Sequence, residues 1–494
     1  MTTNGAEARA ADGAIMLDAL LPVGTPGPLH RLLPAGPALR MGLALAGRPF
    51  TVARRGAGLA AELARIGLGY VPLDPDAPQH PLVRRFTQAG GAAGATVERL
   101  VDDAGLDPAD RDRVRLALAG LTDVLVPTRP SRPAPARIAV GEDVAAAAGA
   151  VVLRTPVFEL LHYLPRTEAV HDVPLLVVPP LLHRHYLVDL TPGRSLVDHL
   201  VHGGQQVLAL SWRNPGPEHA GWDLDTYARA VLDALAACER ITRTPRTSLM
   251  GLGAGGVLVA VVAAHLAATG AQDRLATLTF AATVLDHVGV PVDRQAARRA
   301  VAESGRTGLL DGRRLVADGP PAAGADPVRH WAADAMRMPA GLHRDLVDVA
   351  LGNALATPGG CSALGTPLDL SKVDRDVYVV TGAGDPRLPW DAAYRSARLF
   401  GGAAARFVLS PRGPVAALLT PPADPDGVFQ AGAATATAPE RWGTTADARP
   451  GSWWPDHLGW LAERSGPLRD APPELGGRGM PAVAPAPGDH VTGA

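Results

Sequence analysis

The stretch Met250-Gly251-Leu252-Gly253-Ala254-Gly255-Gly256 is the part of the chain best suited to chemistry. A short extended segment, Arg246 to Met250, leads into it, and an apolar run without breakers, Val257 to Ala264, leads out. That pattern reads as strand, tight glycine turn and helix. Such a turn can cradle a phosphate, carry a nucleophile, or serve packing alone.

In the first reading Gly251, Gly253 and Gly256 form G-x-G-x-x-G, which brings backbone N–H groups and a helix N-terminus to a dinucleotide pyrophosphate. That fold wants the turn after its first strand and an acidic residue about 20 residues further on. Here at least two strands come earlier, and the acid on offer, Asp286, lies farther along. In the second reading Gly251 and Gly255 flank Gly253 at the spacing of a nucleophile elbow, where glycines relieve crowding around a Ser or Cys. The order of elements agrees, but the central residue has no side chain to attack with. In the third reading the glycines only permit a tight turn and close helix–strand contact.

Other reactive side chains are few. Cys238 falls on the helix before the elbow strand and Cys361 in a Gly-rich loop, and both read as structural. His183 and His185 follow the apolar segment ending at Pro179-Pro180, which would put them near the mouth of a site. Their H-x-H spacing suits a metal, but no carboxylate cluster accompanies it, so a surface or loop role is expected and neither metal nor cofactor is predicted.

The elements that must position these residues are legible in order. Residues 1–45 are punctuated by Gly and Pro and predicted to be loosely ordered. Thr51 to Gly67 has helical spacing, Pro72 to Pro81 reads as a loop, and Leu82 to Leu125 as two or three helices. The Pro-rich Val126 to Pro135 marks a boundary, so 46–135 is predicted as an N-terminal helical domain. From about 150 the character changes. Pro174 to Pro180, Gln205 to Trp212, Ala276 to Leu285, Val377 to Gly382 and Arg406 to Ser410 are short apolar strands separated by helices. They predict βαβ units and a mainly parallel sheet across 150–466. A largely helical insertion, about 287–367, has the place of a cap, and 467–494 reads as a Pro/Gly-rich tail.

Composition narrows the classes further. Of 494 residues 47% are hydrophobic and only 4% aromatic, with 55 Gly and 47 Pro. A large core of Ala, Val and Leu and long loops follow. The net charge is −2 with no basic run, which argues against nucleic-acid binding. Two cysteines suggest a reduced, cytoplasmic setting, and no apolar run approaches the ~20 residues that span a bilayer.

Longer stretches resemble a known family. VPLLVVPPLLHRHYLVDLTPGRSLVDHLV (Val173 to Val201), VLALSWRNPGPEHAGWDLDTY (Val207 to Tyr227) and LDLSKVDRDVYVVTGAGDPRLPW (Leu368 to Trp390) are similar to the catalytic domain of poly(3-hydroxyalkanoate) synthases. So are PGSWWPDHLGWLAERSG (Pro450 to Gly466) and PAPGDHV (Pro485 to Val491), with a looser likeness over Leu82 to Pro165. The resemblance implies an α/β-hydrolase fold and an acyltransferase that polymerises 3-hydroxyacyl-CoA through a cysteine thioester, using a Cys–His–Asp triad. Carried over by position, the cysteine's place is Gly253, the aspartate's Asp385 and the histidine's Pro414, with the Ala254 N–H as an oxyanion donor. Two of the three triad members are then missing, and loss of a nucleophile or base alone costs on the order of a millionfold in a hydrolytic triad. The cap region, Asp311 to Pro339, is short beside the family's and keeps fragments such as Trp331 and Asp334 to Pro339. Trp212, Trp222, Trp390, Trp453 and Trp454 read as packing residues. The resemblance thus points to a catalytically degenerate homologue serving an active synthase, or associating with itself, in the cytoplasm or at a polymer granule surface. Its vacated pocket would take a 3-hydroxyacyl-CoA or polymer chain. The other reading is an acyltransferase with an unorthodox nucleophile.

Overall fold

Strands covered on both faces read as unbroken apolar runs, and three of those predicted above are buried at every position: Leu175–Val178, Val207–Trp212 and Thr247–Leu252. The computed structural model describes residues 48–67, a few positions from 96 to 104, and 138–313, 326–383, 388–402, 405–477 and 479–492. The chain divides into two units, Gly24–Pro135 and the remainder, Met1–Val23 with Ala136–Ala494. In the smaller unit helix α1 (Pro49–Gly67) carries Arg55, whose Nε lies 2.8 Å from Asp103 Oδ2. The predicted loop at 72–81, the connector at 126–135 and nearly all of the helical stretch 82–125 lie outside the described residues.

The larger unit is built on one sheet of eleven strands. In chain order these are β1 (Gly149–Arg154), β2 (Phe158–Tyr163), β3 (Leu175–Val178), β4 (Val207–Trp212), β5 (Thr247–Leu252), β6 (Leu275–Ala281), β7 (Asp376–Gly382), β8 (Arg406–Ser410), β9 (Val428–Ala433), β10 (Asp447–Pro450) and β11 (Ala484–Pro485). Their order across the sheet is β10-β9-β8-β7-β6-β5-β3-β4-β2-β1-β11. The run from β8 to β4 is parallel, and the outer strands turn antiparallel. Alternate residues feed two cores: Leu176, Val178, Leu208 and Leu210 on one face, Leu175, Val177, Val207 and Ala209 on the other. The first face is covered by α2 (Leu224–Thr242) and α3 (Ala254–Ala268), the second chiefly by Leu196–His202 and the tryptophan-rich helix at Trp453–Ala462. This is the α/β-hydrolase arrangement.

Between β6 and β7 lies the insertion, with helices α4 (Arg294–Thr307), α5 (Pro327–Ala333) and α6 (Ala340–Leu351) and a small hairpin of Leu309–Asp311 with Arg337–Pro339. Asn353 pins its root, accepting from His287 N at 2.7 Å and donating to Asp286 Oδ1 at 3.1 Å. Past the insertion come α7 (Trp390–Ala397), α8 (Pro414–Leu418) and α9 (Trp453–Ala462).

Two expectations change. The stretch after 467, expected as a Pro/Gly-rich tail, is docked on the domain: β11 pairs with β1, Leu468–Asp470 pairs with Ala169–His171, and α10 (Asp489–Thr492) buries His490 and Val491. Its glycines make the turns this demands, with Gly476, Gly479 and Gly488 at positive φ, so Gly and Pro there signal tight folding. His183 and His185 are buried and do not lie on the surface, because the loop after β3 is roofed by the insertion.

The charge that organises the far end of the sheet is Asp456 on α9. It accepts from Arg406 through both Nε (2.8 Å) and Nη2, from Arg449 Nη1 at 3.1 Å and from Tyr378 OH at 2.9 Å. Burial opposes its ionisation, yet Arg406, Tyr378 and Arg449 hold the carboxyl below the usual carboxylate range. Stability from such a group is present above the unfolded pKa, about 3.9, and is lost as pH falls through the lower folded value. Asp456→Asn should therefore cost on the order of 3 kcal/mol at pH 7. Guanidinium denaturation should show that penalty shrinking below about pH 4.

Candidate functional site at the elbow turn

Gly253 links β5 directly to α3, with φ 54° and ψ −125°. This is the sharp strand-to-helix junction of a nucleophile elbow, in a conformation that glycine adopts without strain. Its neighbours explain their own identity. A Cβ on Gly255 would enter the carbonyl oxygens of Val178 and Pro179 at the end of β3. One on Gly251 would enter Gly256, and one on Gly256 would enter the side chain of Thr283. The glycines thus let β5, α3 and β3 approach at backbone distance, and all three sequence readings have to accommodate that steric demand. Asp286, the acid a dinucleotide site would need, is instead occupied by Asn353 and by Arg395, whose Nε lies 3.5 Å away.

Three hydrogen bonds hand the strand ends to one another. Gly253 N donates to Ala281 O (3.0 Å), Ala282 N to Val380 O (2.8 Å) and Ala383 N to Ser410 O (2.8 Å). The ends of β5, β6, β7 and β8 are therefore aligned, and Ala282 sits at a positive φ of 49° within the series. Thr283 Oγ1 lies 3.1 Å from both the Gly253 and Ala281 carbonyls and donates its proton to one of them. The elbow and the loops after β7 and β8 lie at one end of the sheet, where a triad would have to assemble.

Gly253 and Pro414 are both found there. Pro414 opens α8 just past β8, and the Arg412–Gly413 backbone before it runs so close to Gly382 that a Cβ on that residue would collide. As the first residue of a helix it suits its place, since its missing N–H is one that the helix leaves unbonded anyway. Trp453 Nε1 and Trp454 Nε1 fix α8 by donating to Ala417 O (2.8 Å) and Leu418 O (3.0 Å). Ala254, at the first position of α3, is buried with its N–H at the elbow. Asp385 lies outside the described residues, shortly after Ala383.

The two cysteines are not activated by their surroundings. Cys238 is fully buried on α2, and burial, with Glu239 adding to it, pushes its thiol far up, the opposite of an activated nucleophile. Cys361 is half-buried beside the hairpin Ser362–Ala363, and burial raises its thiol too. His183 stacks near Trp331, ring centres 4.7 Å apart. His185 is pushed down to about 3 by burial, with the neighbouring charge of Arg184 as a lesser cause, so it is neutral at pH 7. Among the described residues no group of three or more His, Cys, Asp or Glu could hold a metal.

Sequence reasoning did not foresee how the insertion is fastened over this end of the sheet. Met336 N donates to Leu182 O at 2.7 Å, and Asn214, from the SWRNP segment, accepts from Arg337 N at 2.9 Å. Gly341 N and Leu342 N bond the carbonyls of Ala220 and Trp222 at 3.1 and 2.9 Å. A conspicuous Asn-Pro after a buried strand was the available signal. Trp212 Nε1 donates to Pro179 O at 3.2 Å, fixing the carbonyl above Gly255.

An α/β-hydrolase-type sheet with an elbow at the fifth strand and a cap after the sixth defines the class. The family follows from comparison. The family model described as "Poly-beta-hydroxybutyrate polymerase (PhaC) N-terminus" matches residues 129–200. The chain is 33% identical to poly(3-hydroxyalkanoate) polymerase 2 of Ectopseudomonas oleovorans, covering 88% of this chain and 90% of that one. It is 34% identical to the poly(3-hydroxyalkanoate) polymerase subunit PhaC of Cupriavidus necator, covering 71% and 65%. A solved monoacylglycerol lipase from Paleococcus ferrophilus is 14% identical with a TM-score of 0.38, covering 60% of this chain and 97% of its own. The chain belongs to the poly(3-hydroxyalkanoate) polymerase family. Among the described residues no helix is long and apolar enough to cross a membrane.

The backbone at position 253 makes one prediction. Any L side chain there is strained, so Gly253→Ala should lower unfolding stability by about 1–3 kcal/mol in chemical denaturation.

Proposed function

We propose that this chain is a catalytically silent member of the polymerase family that acts as a partner or regulator of an active poly(3-hydroxyalkanoate) synthase. The observation that carries the reading is the pairing of Gly253 at the elbow with Pro414 at the start of α8. A triad needs a nucleophile at the first place and a proton acceptor near the second. Glycine offers no attacking atom and proline no titratable nitrogen. The buried, proton-retaining state of Cys238 supports the same reading. Asp385 is the retained acid on this view, and the Ala254 N–H a remaining oxyanion donor. The vacated site would bind an acyl-CoA or a hydroxyacyl chain without cleaving it, and the setting would be the cytoplasm or the surface of a polymer granule.

The purified protein should release no CoA from 3-hydroxybutyryl-CoA. Turnover that disappears in Cys238→Ala or Cys361→Ala would instead establish an acyltransferase with an unorthodox nucleophile. Gly253→Cys alone should stay inactive, because Pro414 leaves no base to take the thiol proton. Co-expression with a Cys- and His-bearing synthase from the same organism should yield a stable complex with altered polymerising activity. Separate species and unchanged activity would refute the partner role.

A further inference from the structure

Arg184 stands where three parts of the larger unit meet. It follows β3, and its side chain is almost wholly buried. Its Nε lies 3.4 Å from Asp334 Oδ2, at the C-terminal end of α5 in the cap. Its Nη1 donates to the carbonyl of His490 in α10. Its own carbonyl accepts from Trp331 Nε1 on α5 at 2.9 Å, and Tyr186 OH donates to Asp334 at 3.1 Å. One buried guanidinium thus joins the cap, the loop beside the elbow and the segment near residue 490. A buried cation is tolerated only while its acceptors surround it, so the two outer parts depend on each other.

The terminal segment has firm anchorage of its own on the sheet. β11 pairs with β1, Val151 opposite Ala484. Glu159 on β2, fully buried, accepts from Arg154 Nε at 2.7 Å and from His490 N at 3.0 Å. Arg154 Nη2 also lies 2.6 Å from Asp489 Oδ2, and His490 Nδ1 lies 3.1 Å from the carbonyl of Ser211 on β4. Toward the cap its contact is incomplete. An open groove of about 520 Å³, lined by Val140, His330, Ala333, Asp334, Val491 and Thr492, separates α10 from α5. The segment is therefore bonded closely to the sheet and more openly to the cap.

We propose that residues 484–492 form a strap that holds the cap in place: through Arg184, docking of the strap on β1, β2 and β4 is coupled to the seating of α5 on the loop beside the elbow. Release of the strap frees α5 and its flanking segment to residue 339 and leaves the parallel strands of the sheet intact. The coupling does not depend on whether the elbow turns over substrate.

Hydrogen exchange on four proteins tests this: the full chain, a deletion of 484–494, Asp334→Ala, and the combination. Peptides within 327–339 should exchange about tenfold faster in either single variant, with no further gain in the combination. By reciprocity, Asp334→Ala should also speed exchange in 484–492. Peptides from β7 and β8 should not change. The proposal is overturned if the deletion leaves 327–339 protected, if the single effects multiply, or if β7 and β8 loosen to the same extent. Should the deletion not fold, Asp334→Ala decides alone: exchange over 484–492 rises, or the strap is not coupled to the cap.

Discussion

At the end of β5 the chain must turn into α3 beneath two carbonyl oxygens, and there is no space for a Cβ where it does so. Val178 and Pro179 close the turn from above Gly255, while Thr283 closes it from beside Gly256. Trp212 holds the Pro179 carbonyl from the far side. The rest of the domain accepts this constraint. α3 leaves the turn surrounded by strands and by α2, and so its sequence from Ala254 to Ala264 is apolar on nearly every face. The strands from β5 to β8 are brought into line by backbone bonds, one of them donated by Ala282, which sits at a positive φ. A non-glycine residue in that conformation is strained by about 1–3 kcal/mol and persists only because its surroundings over-determine it.

A second layer of fastening acts on the loops that the aligned strand ends present. Trp453 and Trp454 hold α8 by their indole N–H groups, so their burial is positional as well as apolar. Asp456, on the same helix, draws Arg406 of β8, Tyr378 of β7 and Arg449 of β10 to one carboxylate. α9 therefore fixes the position of α8 after β8. On the other side Asn214 and Leu182 receive the strand of the insertion that ends at Pro339. α8 and the insertion are thus each fastened by hydrogen bonds from neighbouring elements.

Much of this fold was legible because apolar runs bounded by Gly and Pro need no tertiary information to be recognised as buried strands. The elbow was legible as a turn for the same reason. What its glycines touch was not, because the carbonyls of Val178 and Pro179 arrive from a distant part of the chain. The burial of His183 and His185 was missed since their exposure depends on Trp331 and Met336, far along in the insertion. The stretch beyond 467 was misread because Gly and Pro signal turns without saying whether the turns are docked; Glu159 and Ser211, which receive His490, lie on β2 and β4, far away in the chain. Fragments such as Trp331 and Asp334 to Pro339 stood out in sequence, but their role as the fastening of the cap needed Arg184, Leu182 and Asn214 as partners.

Gly253 and Pro414 favour the fold they sit in. Gly253 occupies a backbone conformation that strains every residue with a Cβ, and glycine removes that strain. Pro414 begins a helix, where its fixed φ and absent N–H are an advantage. An active elbow stores strain at its nucleophile and tolerates it for the sake of reaction. Here the same junction is relaxed while the sterically required glycines around it remain. On the reading proposed above, the chain has exchanged reactivity for backbone comfort at the very point on which its packing depends. Glycine at the elbow and proline at the start of α8 are each compatible with the backbone around them, so the packing at this end of the sheet is kept.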